Sequence, residues 1–116
     1  MQALEVCGVF LASSVRDAPP DRRAHHSFGL SDPEGFAAMG VVETLVHGED
    51  LAQGLKRPWE PPSDLCARSL HRLFPDAPTD GEARPTLLWA TGRGSLPGHD
   101  DRKDGWRWDA RPAGER

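Results

Sequence analysis

Glu43, His47 and Asp50 stand at i, i+4 and i+7 of a stretch that reads as helix. At 100° of rotation per residue, the three fall within about 60° of one another and share one face. A Glu and a His one turn apart can both reach one divalent ion, the Glu through an oxygen and the His through a ring nitrogen, at about 2.0 to 2.2 Å. Asp50, one turn further on, would orient His47 by accepting the second ring N–H, or assist the ligand chemistry. The rest of the helix surface carries Val41, Val42, Leu45, Val46, Leu51, Ala52 and Leu55. A helix apolar over most of its circumference is largely buried, so the trio is expected to point into protein, where a carboxylate and an imidazole must be paired or bind metal. The alternative is an ordinary surface pair, with Glu43 and His47 as i, i+4 neighbours and Asp50 solvated.

The elements that must position this trio are marked by prolines and glycines. Leu4, Cys7, Leu11 and Val15 recur at helical spacing from Gln2 to about Arg16, and Pro19-Pro20 ends that segment. Asp21 to Leu30 reads as a polar loop containing His25-His26. Ser31-Asp32-Pro33-Glu34 then supplies a helix start, with a Ser or Asp cap and Pro in the first turn, for a second helix from about Pro33 to Leu55. Pro58, Pro61 and Pro62 break it, and Ser63-Asp64 begins a third helix that Pro75 stops. A short fourth helix covers Thr86 to Thr91 and closes at Gly92. His99 to Gly105 is charged and expected to be mobile, and Trp106 to Asp109 alternates apolar and polar as a brief extended segment would. The expected fold is all-α, with a partial helical bundle over 1–93 and an irregular C-terminal tail over 94–116.

Composition removes several classes. With 116 residues there is room for one small domain, and Lys plus Arg (14) against Asp plus Glu (18) gives a net charge of −4, which forces no basic surface for nucleic acid. The longest mostly apolar run, Val6 to Ala12, is far short of a bilayer span, and Met1 to Glu5 lacks the basic start of a signal peptide, so a cytoplasmic chain is expected. Cys7 and Cys66 sit in apolar stripes, where a reduced, buried thiol is expected. Neither has an adjacent base, and Ser95 lacks the frame of a nucleophile elbow, so covalent catalysis by the protein has little support. Gly92 to Gly98 fits no phosphate loop and reads as a helix stop and turn. Trp59, Trp89, Trp106 and Trp108 read as packing anchors.

The run Ser31 to Glu43, continuing through Leu45-Val46-His47-Gly48-Glu49-Asp50-Leu51-Ala52, resembles the mycothiol-dependent maleylpyruvate isomerase family of the DinB-like four-helix-bundle superfamily. So do Pro58-Trp59-Glu60-Pro61-Pro62, Leu65-Cys66-Ala67-Arg68, Leu73 to Pro78, Leu87 to Arg93, Leu96-Pro97-Gly98 and Trp106-Arg107-Trp108-Asp109, in order, over roughly residues 24 to 111. The excess of arginine over lysine also suits the actinobacteria that make mycothiol. The resemblance implies a divalent metal, usually zinc, held by Glu43 and His47 and by a His of the first bundle helix. The metal would lower the pKa of the mycothiol thiol, and the thiolate would attack a small-molecule substrate. In the isomerase itself, addition to a maleyl double bond, rotation and elimination give the trans isomer; other members are assigned as thiol transferases.

Against the family pattern the chain resembles the C-terminal portion of a bundle, with the first helices, including the one that supplies the third ligand, expected to be missing. Met1 to Arg16 holds no histidine. His25 or His26 would have to substitute, while His71 and His99 read as surface residues. Helices that lost their partners would make the chain a homo-oligomer or the partner of a separate N-terminal half. The alternative function is a small helical interaction module without catalysis, its apolar helix faces serving assembly.

Overall fold

The computed structural model describes residues 2–116 and is all-α, with four helices and one small hairpin. Helix α1 spans Gln2–Asp17, α2 Pro33–Gly54, α3 Ser63–Leu73 and α4 Ala83–Ala90. Strands β1 (Ala24–His26) and β2 (Gly29–Ser31) pair antiparallel, with His25 opposite Leu30. The segment expected to be a loop therefore closes on itself, which satisfies backbone groups that a loop would leave to water.

Helix α2 begins where the chain chemistry directs. The Asp32 carboxylate accepts the Gly35 N–H at 2.8 Å, Pro33 occupies the first turn, and Glu34 lies at the positive end of the helix dipole. Of the two capping candidates, Asp32 does the work, while Ser31 ends β2 and is fully buried. Asp32 is gripped in turn by Arg72 of α3 at 2.7 Å. This approach needs Gly35, where a Cβ would run into the Arg72 guanidinium and Ser31 Oγ.

The core lies between α2, α3 and α4 and is completed by the C-terminal stretch. Met39, Val42, Leu45 and Val46 of α2 meet Cys66, Leu70 and Leu73 of α3, Leu87 and Trp89 of α4, and Trp108 and Ala110 beyond them. The stretch from Gly94 on holds nothing more regular than two 3-10 turns, yet it is tied down at several points. Asp109 donates its N–H to Leu73 O at 2.8 Å, and Trp89 Nε1 donates to Asp100 O at 2.9 Å. Arg102 lies 4.2 Å over the Trp89 ring and pairs with Asp76, and His99 leans on the same ring. The segment expected to be mobile is thus held by a buried indole. Trp106 and Trp108 point inward around an exposed Arg107, so the alternation read from the sequence is realised in burial although no strand forms.

Helix α1 is the exception to this packing. None of its residues is buried, and its apolar residues are spread around the helix instead of gathered on one face. It lies against α2 over an open apolar groove of about 520 Å³ lined by Leu11, Val15, Phe36, Val41 and Leu45. Cys7 is consequently exposed, contrary to the expectation of a buried thiol, whereas Cys66 is buried and both are free. Desolvation pushes the Cys66 thiol above its ordinary value. No described helix is long and apolar enough to cross a membrane.

Candidate metal centre

Glu43, His47 and Asp50 share one face of α2, as the spacing requires, but that face looks outward. Their side chains are 51%, 61% and 45% exposed, which corrects the expectation that the trio points into protein. The reason is that α3 and α4 cover only the stripe of Met39, Val42, Leu45, Val46 and Glu49. Leu51 and Leu55, part of the apolar surface of the same helix, are themselves 66% and 70% exposed. The buried carboxylate of α2 is Glu49, and Arg84 of α4 receives it through two contacts at 2.8 and 3.1 Å. Gln53 donates a third hydrogen bond at 3.1 Å. Burial raises the Glu49 pKa, but the bonds from Arg84 and Gln53 and the charge of Arg84 outweigh it, and the net shift is downward.

The outward trio is ordered around the His47 ring. Nε2 faces Glu43 Oε2 at 2.9 Å, and Nδ1 faces Asp50 Oδ2 at 3.3 Å. Glu43 and Asp50 therefore take opposite ring nitrogens, so the two carboxylates cannot join the same imidazole nitrogen at one ion. Glu43 with Nε2 and Asp50 with Nδ1 are thus two separate oxygen–nitrogen pairs on opposite sides of the ring, and an ion held by the first would leave Asp50 to orient the ring.

Asp50 is itself fixed from outside the helix. Arg93 donates through Nε to Oδ1 at 2.9 Å and through Nη2 to Oδ2 at 2.8 Å, a two-point clamp of the planar kind that arginine favours. These bonds hold the Asp50 carboxyl below the usual carboxylate range, against a smaller opposing effect of desolvation. Arg93 reaches α2 because α4 stops at Thr91 and Gly92 turns the chain with φ of 72°. A side chain at Gly92 would strike the Lys103 carbonyl as well as strain the backbone. The Arg93 guanidinium also donates to Thr91 O at 3.1 Å, which braces the clamp on its own turn. Next to His47 in the chain, Gly48 receives Trp59 of the proline-rich connection, and a Cβ there would lie 2.7 Å from the indole.

No third donor joins either pair. Among the described residues, no group of three or more His, Cys, Asp or Glu side chains is placed to hold a metal ion. His26, offered as a substitute ligand, instead accepts the Phe28 N–H at Nδ1 and packs against the Phe28 and Trp108 rings. His25, His71 and His99 are exposed, the last two as expected.

The residues that sequence reasoning passed over are Glu49, Arg84, Arg93 and the Asp32–Arg72 pair. Glu49 was findable, since it continues the i, i+4, i+7 stripe of Val42 and Val46. Nothing in the spacing of Arg93 or Arg72 marks its partner, because each acts across about 40 residues of chain. Comparison with family models, with curated proteins and with solved structures finds no match to this chain.

Proposed function

We propose that the outer face of α2 is a divalent-metal site of the thiol-activating kind, with Glu43 and His47 as its protein donors. The observation that carries this reading is the support behind the His47 ring: Nδ1 is met by Asp50, and Asp50 is clamped at two points by Arg93. An accidental surface pair needs no such buttress, whereas a ligating histidine is commonly oriented by a carboxylate on its other nitrogen. The carboxylate oxygen and ring nitrogen are 2.9 Å apart, a separation that two donors with bonds of about 2.0 to 2.2 Å can adopt at one ion.

The donor set fits zinc as an incomplete shell, with two of the three protein donors that catalytic zinc takes, and leaves positions for water and a thiol. When bound, the ion would supply Lewis acidity that lowers the pKa of a thiol coordinated to it. Glu43 and His47 would hold the ion, Asp50 would keep the His47 lone pair aimed outward, and Arg93 would keep Asp50 ionised and in place. The block resemblance supplies the thiol and the reaction class, in a mycothiol-dependent isomerase or thiol transferase acting on a small electrophile.

The test is zinc titration by calorimetry, with metal content by mass spectrometry, on the full chain and three variants. About one equivalent of zinc is expected in the parent, none retained by His47→Ala or Glu43→Ala, and a 10- to 100-fold weaker affinity in Asp50→Asn. Unchanged stoichiometry in His47→Ala and Glu43→Ala, or no zinc bound by the parent, would overturn the reading.

A further inference from the structure

Helix α1 exposes more apolar surface than a free helix tolerates. Leu4, Val6, Val9, Phe10 and Leu11 are 75%, 62%, 67%, 74% and 61% exposed. Together they leave on the order of 650 Å² of apolar surface in water over two faces of the helix, of which Val6, Val9 and Phe10 supply on the order of 400 Å², about half of the roughly 800 Å² that each partner gives to a standard interface. Leu4 and Leu11 border the groove against α2. Val6, Val9, Phe10 and Ser13 form a second stripe that faces away from it, at i, i+3, i+4 and i+7.

The charges beside that outer stripe say what covers it. Within α1 the charged residues are Glu5, Arg16 and Asp17, and Asp17 is the last residue of the helix. Glu5 and Arg16 are about three turns apart and lie on the same flank of the stripe. Neither is in an ion pair among the described residues, and both are exposed. When two helices pack antiparallel, like flanks meet, so Glu5 of one copy comes opposite Arg16 of the other, twice about a two-fold axis. A parallel pair would leave each of them without an opposite charge. Centred on the stripe, such a pair sets Val6 opposite Ser13 and Val9 opposite Phe10 of the other copy, with Glu5 and Arg16 within side-chain reach along the flank.

We infer that α1 is the seam of a two-fold symmetric dimer of this chain, in which the two α1 helices pack antiparallel through Val6, Val9 and Phe10. The dimer does not depend on the metal site, since Glu43, His47 and Asp50 lie on α2 and take no part in the seam.

Sedimentation velocity and light scattering on metal-free protein, from about 5 to 200 µM, test this. A species near twice the 12.7 kDa chain mass is expected, and Phe10→Asp is expected to be monomeric. Glu5→Arg should weaken the dimer on the order of tenfold, and the double variant Glu5→Arg, Arg16→Glu should recover it. The charge variants lie on the surface, so they remain informative if Phe10→Asp unfolds the helix. A monomeric parent across that range, as expected if a different protein or a lipid surface covers α1, would overturn the proposal. So would a dimer indifferent to Phe10→Asp, or a double variant no stronger than Glu5→Arg alone.

Discussion

Glu49 and Asp50 are consecutive residues of α2, and each is held by an arginine from α4 or the turn that ends it. Glu49 is 8% exposed at its side chain, and Arg84 and Gln53 between them occupy both of its oxygens. Asp50 is 45% exposed, and the Arg93 clamp leaves one of its oxygens also facing the His47 ring. The first pair joins α2 to α4 and closes a gap in an apolar wall. The second joins α2 to the turn that ends α4, and it fixes a carboxylate that faces the His47 ring. Two identical chemistries, one helical step apart, thus divide into structure and positioning according to which face of α2 the neighbours cover.

The largest effect that would sharpen this contrast is on the core side. Arg72→Ala leaves the Asp32 carboxylate, a helix cap only 15% exposed, without its cation, and a stability loss of about 3 kcal/mol in urea unfolding is expected. Glu49→Ala should cost about 1 to 2 kcal/mol, because Arg84 keeps some access to water when its partner goes. Asp50→Asn should move the unfolding midpoint little, by about 0.5 kcal/mol or less, while weakening zinc binding as described above. If Asp50→Asn destabilised the fold as much as Glu49→Ala does, the division between the two faces would be wrong.

A smaller effect lies in the pH dependence. Asp32, Glu49 and Asp50 all have folded carboxyl pKa values below their ordinary ones. The unfolded chain therefore binds more protons near and just below pH 4. The stability these groups contribute is complete above their unfolded pKa values and is lost as pH falls through the folded ones. Replacing Arg84 by Met removes the larger cause of the downward shift at Glu49 and leaves only Gln53, so the acid limb of a stability-versus-pH curve should become shallower than in the parent. An unchanged slope would show that Arg84 does not hold Glu49 as the geometry implies.

The helices were legible because their ends are local events. Pro33 after Asp32, the prolines before Ser63 and Gly92 after Thr91 act within a turn of themselves, and the boundaries fell within a few residues of expectation. Helix α4 starts three residues early because Pro85 is tolerated within its first turn. The orientation of α2 was not legible, because Leu51 and Leu55 read identically to Val42 and Val46 until the position of α3 is known. Cys7 misled for the same reason, since α1 carries apolar residues on two sides and its neighbour α2 approaches the side of Leu11 and Val15, leaving Cys7 exposed. At the candidate site the Glu43–His47–Asp50 spacing was visible, whereas Arg93 depended on a turn whose direction only Gly92 and the approach of Lys103 set.

Arg72 carries a consequence for the order in which the chain folds. Its guanidinium meets Asp32, which caps α2, and makes longer contacts of 3.4 to 3.5 Å to the carbonyls of Ala110 and Asp109, while its own carbonyl accepts from Arg116. One side chain so joins positions 32, 72 and 110, and each link closes a loop of about 40 residues. Loops of that span form after local helices and carry the entropic cost of closure before their contacts form. The first turn of α2 should therefore fray until the C-terminal stretch arrives, and Arg72→Ala should slow folding less than it speeds unfolding.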